Sequence, residues 1–145
     1  MKNTMKKLIA LSLALVMLLA LVSCDKSSSV KKAFEDAGYK VETLNAENED
    51  VKTILKLLLN DEQIEKVSEY EVYYFSMDGI LNVLKKAVVI KFPSSGELAD
   101  FLTVTAEDGT KDTSKLDKAE ADGWVNGNCL ILTASSDCLT VFKAA

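Results

Sequence analysis

Val89-Ile90-Lys91-Phe92-Pro93-Ser94-Ser95-Gly96-Glu97-Leu98-Ala99-Asp100-Phe101 lines up without gaps on Leu130-Ile131-Leu132-Thr133-Ala134-Ser135-Ser136-Asp137-Cys138-Leu139-Thr140-Val141-Phe142. Each copy is an apolar run, a serine pair and a helix start with Leu and Phe three residues apart. The runs read as strands and the segments after the serines as helices. Ser95 and Ser136 are predicted to accept from the free N–H groups of the first helical turn, with Glu97 and Asp137 complementing the helix dipole and the Leu/Phe pairs docking on the sheet. Nucleophilic serines or a phosphate cradle would need a base or glycine-rich spacing, and neither accompanies the pairs. The C-terminal half is therefore two strand-to-helix units.

Working outward, Val30, Ala33, Phe34 and Ala37 have helical spacing, with serines ahead for an N-cap and Gly38 placed as a stop. Tyr39, Val41 and Thr43 alternate with Lys40, Glu42 and Leu44 as in a strand. Val51, Ile54, Leu55 and Leu58 mark one face of a second helix, which Leu57 and Leu59 widen. Asn60 and Asp61 can cap a short turn over Glu62–Val67 ahead of a strand over Glu69–Met77. Period two puts Tyr70, Val72 and Tyr74 on one face of that strand and Tyr73, Phe75 and Met77 on the other. One face packs on helices. Tyrosines on the other suit cross-strand pairing, or an open surface for a sugar or peptide. After the turn at Asp78-Gly79, Ile80–Ala87 reads as either a short helix or the start of a strand.

Between the repeats, Glu107–Gly123 is polar and charged, with a helical turn suggested over Leu116–Ala121, and is predicted as the longest loop, where binding residues concentrate. Its acids lack the spacing of a calcium loop. Asn126-Gly127 between apolar runs predicts a hairpin turn. These elements give an α+β class: a two-layer sandwich whose mixed or antiparallel sheet has four or five strands, with helices mainly on one face.

The N-terminus is of another kind. Lys2, Lys6 and Lys7 precede an apolar run from Leu8 to Val22 broken only by Ser12, the n-region and h-region of a secretory signal. Its 15 residues fall short of the ~20 that a bilayer-spanning helix needs. Leu21-Val22-Ser23-Cys24 matches a lipobox, with Leu at minus three, Ser at minus one and Cys at plus one. Residues 1–24 thus resemble a bacterial lipoprotein precursor. Ordinary secretion would not call for the Leu and Cys flanks. The resemblance implies removal of residues 1–23, a diacylglycerol on the Cys24 thiol and attachment to the outer face of the cell membrane. Residues 24–29, small and polar, read as a lipidated tether, and 30–145 as a single domain.

Cutting before Cys24 leaves 122 residues (145 minus 23), enough for one domain with its own core. The signal takes three lysines and no acid, so 14 lysines face 22 acids, a net of minus 8. Such a surface disfavours nucleic acid and direct electrostatic binding to anionic headgroups, leaving the lipid as the membrane attachment. Two acyl chains suffice for stable anchoring. The chain has no His, and its cations are all lysine, which removes the commonest general base, the commonest zinc ligand and the bidentate anion clamp. No catalytic residue, metal ligand or cofactor is assigned. The expected function is a lipid-anchored extracytoplasmic binding or interaction module for a peptide, protein or small solute. Tyr70, Tyr73, Tyr74 and Trp124 are the candidate binding surface, with the acidic loop beside them. A small acid- or serine-dependent hydrolase, revealed by a cleft with two carboxylates of separated pKa, and a purely structural envelope lipoprotein are the alternatives.

Cys129 and Cys138 would ordinarily pair in an exported protein. With Cys129 early in a strand and Cys138 just past its far end, their separation is about twice the ~7 Å a bridge allows. Two free thiols are predicted, Cys129 in the core and Cys138, aligned with Glu97, partly exposed.

Overall fold

The computed structural model describes residues 25–145, so the expected signal segment and Cys24 lie outside the described residues. In chain order the elements are α1 (Ser27–Asp36), β1 (Lys40–Thr43), α2 (Glu49–Leu55), α3 (Asp61–Lys66), a 3₁₀ turn (Val67–Glu69), β2 (Glu71–Ser76), a second 3₁₀ turn (Ile80–Asn82), β3 (Lys86–Lys91), α4 (Ser95–Leu102), β4 (Val104–Thr105), β5 (Lys111–Asp112), α5 (Ser114–Ala121), β6 (Val125–Asn126), β7 (Cys129–Leu132) and α6 (Ser136–Ala144). Five strands form one antiparallel sheet in the order β1-β2-β3-β7-β6, while β4 and β5 make a separate hairpin. The class is α+β, as the sequence patterns indicate.

Period two distributes each central strand between two cores. Val72, Tyr74, Val88, Ile90, Leu130 and Leu132 face one, and Tyr73, Phe75, Ala87, Val89, Cys129 and Ile131 the other. Val51 and Leu55 of α2, Ile64 of α3, Leu98 and Leu102 of α4 and Ala119 of α5 close the first core. Val30 and Phe34 of α1 with Cys138 and Phe142 of α6 close the second. Most helices share one face, as expected, but α1 and α6 cover the opposite one, so the two layers become helix–sheet–helix. Double coverage explains why Val88-Val89-Ile90 and Leu130-Ile131-Leu132 are unbroken apolar runs rather than alternating ones. Among the described residues, the buried side chains of both cores lie between Val30 and Phe142.

The repeat is a repeat of local structure with two destinations. β3 runs into α4, and β7, antiparallel to it with Val89 opposite Ile131, runs into α6 on the other face. The caps sit one residue earlier than expected. Ser94 (φ −152°, ψ 162°) accepts from Glu97 N–H at 3.1 Å, and Ser135 (φ −93°, ψ 121°) from Cys138 N–H at 3.3 Å. These serines have the extended backbone a cap requires, whereas Ser95 and Ser136 are already helical.

Other expectations are corrected locally. Ser27–Ser29 are the first turn of α1, not a tether. At its far end Gly38, at φ 92°, lets its own N–H reach Glu35 carbonyl (3.0 Å) and Tyr39 N–H reach Phe34 carbonyl (2.9 Å), with the Tyr39 ring edge-on to Phe34. This is a Schellman stop with its apolar contact. The Glu107–Gly123 stretch is not a long loop: it holds β5, the turn joining β5 to β4, and α5, whose start is set by Asp112 accepting from Ser114 N–H (2.9 Å). Asn126 pairs with Cys129, so Gly127 and Asn128 are the turn residues. Gly127 has φ 60° and Asn128 a negative φ, the type II′ pattern, one residue on from the expected Asn-Gly turn.

Candidate functional site

The aromatic residues singled out as a binding surface do not share one face. Tyr73 and Tyr74 are buried on opposite faces of β2, Tyr73 in the core under α1 and α6 and Tyr74 in the core under α2 to α5. Lys31 Nζ lies 4.7 Å from the centre of the Tyr73 ring. Tyr70, half-buried, packs with Phe92 (centroids 4.5 Å apart) and Phe101 (5.9 Å), and half-buried Trp124 touches both cores. Tyr73 and Tyr74 therefore belong to packing, while Tyr70 and Trp124 keep part of their surface exposed. Cys138 is fully buried rather than partly exposed. The inward face of α6 is Cys138 and Phe142, one residue round from the Leu98 and Leu102 face of α4, and its Sγ–H donates to Tyr39 Oη (3.5 Å). Both thiols are free.

The polar knot that the structure does assemble lies where the described chain begins. Asn128, buried by the β6–β7 turn, donates from Nδ2 to the Phe92 carbonyl (2.8 Å) and to Asp25 Oδ1 (3.4 Å) and accepts at Oδ1 from Lys26 N–H (2.8 Å). Its carbonyl takes Phe92 N–H at 2.9 Å. Asp25 Oδ1 accepts from Ser27 N–H (3.0 Å) and Ser27 Oγ–H (2.7 Å), and Lys91 Nζ lies 3.3 Å from Asp25 Oδ2 and 3.9 Å from Glu71 Oε2. Tyr73 Oη–H donates to the same Glu71 oxygen. One residue after Cys24, the chain is thus fastened to the ends of three strands.

The Ser27 hydroxyl, then the Ser27 amide, Lys91 and Asn128, hold the Asp25 carboxyl at about 2, against a smaller upward push from burial. Burial first, then Glu71, drives the Tyr73 phenol upward. Burial and the Asp25 charge push the Cys129 thiol up to about 12, against Lys91, so it is an inert core group. Around the knot, Asp25 and Glu71 are acceptors for the lysine and hydroxyl donors that lock them in place.

Beside the knot Glu69, Tyr70, Glu71, Lys91, Phe92 and Pro93 line an open cleft of about 210 Å³. A second cleft, of about 330 Å³, runs between α3 and α4. The Gln63 amide at its edge is spent inside the protein: Oε1 accepts from Asn60 N–H (3.1 Å) and Lys115 Nζ (2.7 Å), and Nε2 donates to the Phe101 carbonyl (3.1 Å). Neither cleft includes Ser94 or Ser135, whose hydroxyl oxygens serve as helix caps. Among the described residues no three Cys, Asp or Glu side chains converge on a point that could hold a metal ion, and no helix is long and apolar enough to cross a membrane.

Sequence reasoning missed Asn128 and Asp25. The signal for Asn128 was the second asparagine of Asn126-Gly127-Asn128, because a Gly-Asn pair is itself a two-residue turn. Asp25 carried no signal beyond its place next to Cys24. No protein-family model, curated protein or solved structure matches the chain.

Proposed function

We propose that this protein is a lipid-anchored extracytoplasmic interaction module, attached through a diacylglycerol on Cys24 to the outer face of the cell membrane. The sequence argument is the charged start, the apolar run and Leu21-Val22-Ser23-Cys24. The observation that carries the reading into the fold is the Asp25 knot. Among the described residues the two cores draw on side chains from Val30 onward, and cleavage before Cys24 would leave it directly ahead of a residue bonded to Ser27, Lys91 and Asn128. A lipid on Cys24 would therefore hold the domain itself against the bilayer, with no flexible spacer to let it swing.

Growth with a radioactive fatty acid tests the anchor. Wild-type protein is expected to carry label, and Cys24→Ala to be unlabelled while keeping its fold. Equal labelling of the two would contradict the assignment.

A further inference from the structure

The connection between β2 and β3 ends in aliphatic side chains that nothing covers: Ile80 is 92% exposed, Leu81 95%, Val83 54% and Leu84 84%. Single exposed apolar residues are ordinary, but four within five positions on one turn form a patch of the kind that marks an interaction site. The turn is also internally bonded. Asn82 N–H donates to the Gly79 carbonyl (3.0 Å), Lys85 N–H to the Asn82 carbonyl (2.9 Å) and Lys86 N–H to the Leu84 carbonyl (3.0 Å). Asn82, the one polar side chain within the apolar run, donates from Nδ2 to the Asp78 carbonyl (2.8 Å). A segment that enters a medium short of water must bring hydrogen bonds with it, and these four are bonds the turn makes within itself.

We propose that the β2–β3 turn is a lipid-inserting tip: Ile80, Leu81, Val83 and Leu84 enter the interfacial zone of a bilayer, and Lys85 and Lys86 reach the headgroup phosphates. Composition favours lipid over a protein partner, because the patch is wholly aliphatic, with none of the Tyr, Trp, Phe or Met that concentrate in protein–protein interface cores. Shape agrees, since the patch is the end of a hairpin rather than a groove or a flat face. Charge is locally complementary although the chain as a whole is acidic. Lys40 pairs with exposed Asp78, Lys85 lies 3.5 Å from exposed Asp137, and Lys86 has no carboxylate partner among the described residues. Such exposed pairs are weak in water, so these lysines can exchange a carboxylate for a phosphate while their stems lie along the apolar patch.

The tip is at the opposite end of the β2–β3 hairpin from the Asp25 knot. Lys86 to Lys91 spans five residue steps, about 17 Å. The proposed contact is thus distinct from the Cys24 attachment and does not rest on it. If both contacts meet one bilayer, the β2–β3 hairpin lies along its surface rather than upright on it.

Residues 25–145, which contain both cores and lack Cys24, can be sedimented with vesicles of phosphatidylcholine alone and of phosphatidylcholine with phosphatidylglycerol, so lipidation plays no part in the outcome. Wild type is expected to bind both, more strongly with phosphatidylglycerol. Leu81→Asp should lose about tenfold or more in binding to each while unfolding at the same temperature as wild type. Lys85→Glu should weaken only the phosphatidylglycerol component. No binding to either vesicle at low salt, or undiminished binding by Leu81→Asp, would overturn the proposal. So would a wild-type dimer that Leu81→Asp dissociates while vesicles are ignored.

Discussion

Replacing Asn128 with alanine removes the side chain that joins the start of the chain to the β6–β7 turn. Asn128 is 2% exposed, and its amide serves Lys26 N–H at 2.8 Å and the Phe92 carbonyl at 2.8 Å. Leaving a buried donor or acceptor without a partner costs about 1–3 kcal/mol each. Lys26 is half-buried and its N–H recovers part of its bond from water, which sets the expected loss at about 2–4 kcal/mol. That is a large share of a typical domain's ~5–15 kcal/mol. Asp25 also loses its 3.4 Å contact with Nδ2, so α1 should fray at its first turn before the sheet opens. Urea unfolding of residues 25–145 followed by circular dichroism measures the total, and amide exchange at Ser27–Val30 measures the fraying. A loss under about 0.5 kcal/mol, within the range of an ordinary surface substitution, would show that the knot does not fasten the chain.

Three further outcomes follow from particular contacts. The folded-state pKa of Asp25 is depressed from 3.8 to about 2, so its contribution is fully present above the unfolded value and lost as pH falls through the folded one. With the carboxylate 39% exposed, solvent screening reduces this to about 1 kcal/mol, and the stability gap between wild type and Asp25→Ala should close between about pH 5 and pH 2; a constant gap would deny the carboxylate its role. Ser94→Ala and Ser135→Ala should each cost about 0.5–2 kcal/mol, with Ser95→Ala and Ser136→Ala costing far less; the reverse order would restore the cap positions expected from sequence. Cys129 and Cys138 should resist alkylation in the native domain and both label in denaturant without reductant; no label in denaturant would reveal a disulfide.

The sequence displayed the strands better than what covers them. Val88-Val89-Ile90 and Leu130-Ile131-Leu132 announce burial, and continuous runs in an antiparallel sheet already imply two covered faces, which the aromatic alternation of Tyr70 to Tyr74 obscured. The serine-led repeat was legible as local structure, but its two helices go to opposite faces. Cys138 therefore could not inherit exposure from Glu97. The knot was the least legible part, since Asp25, Lys91 and Asn128 are far apart in sequence and meet only because β3, the β6–β7 turn and the start of α1 converge. The exposed tip looked ambiguous for a physical reason: Ile80 to Leu84 satisfy neither period, being a 3₁₀ turn followed by irregular chain.

Anchoring is tested most directly by the mass of the N-terminal tryptic peptide recovered from the membrane fraction of cells making the full chain. A peptide that starts at Cys24, ends at Lys26 and carries a diacylglyceryl group on sulfur is the expected result. A peptide that runs unbroken through Ser23 into an unmodified Cys24 would contradict it.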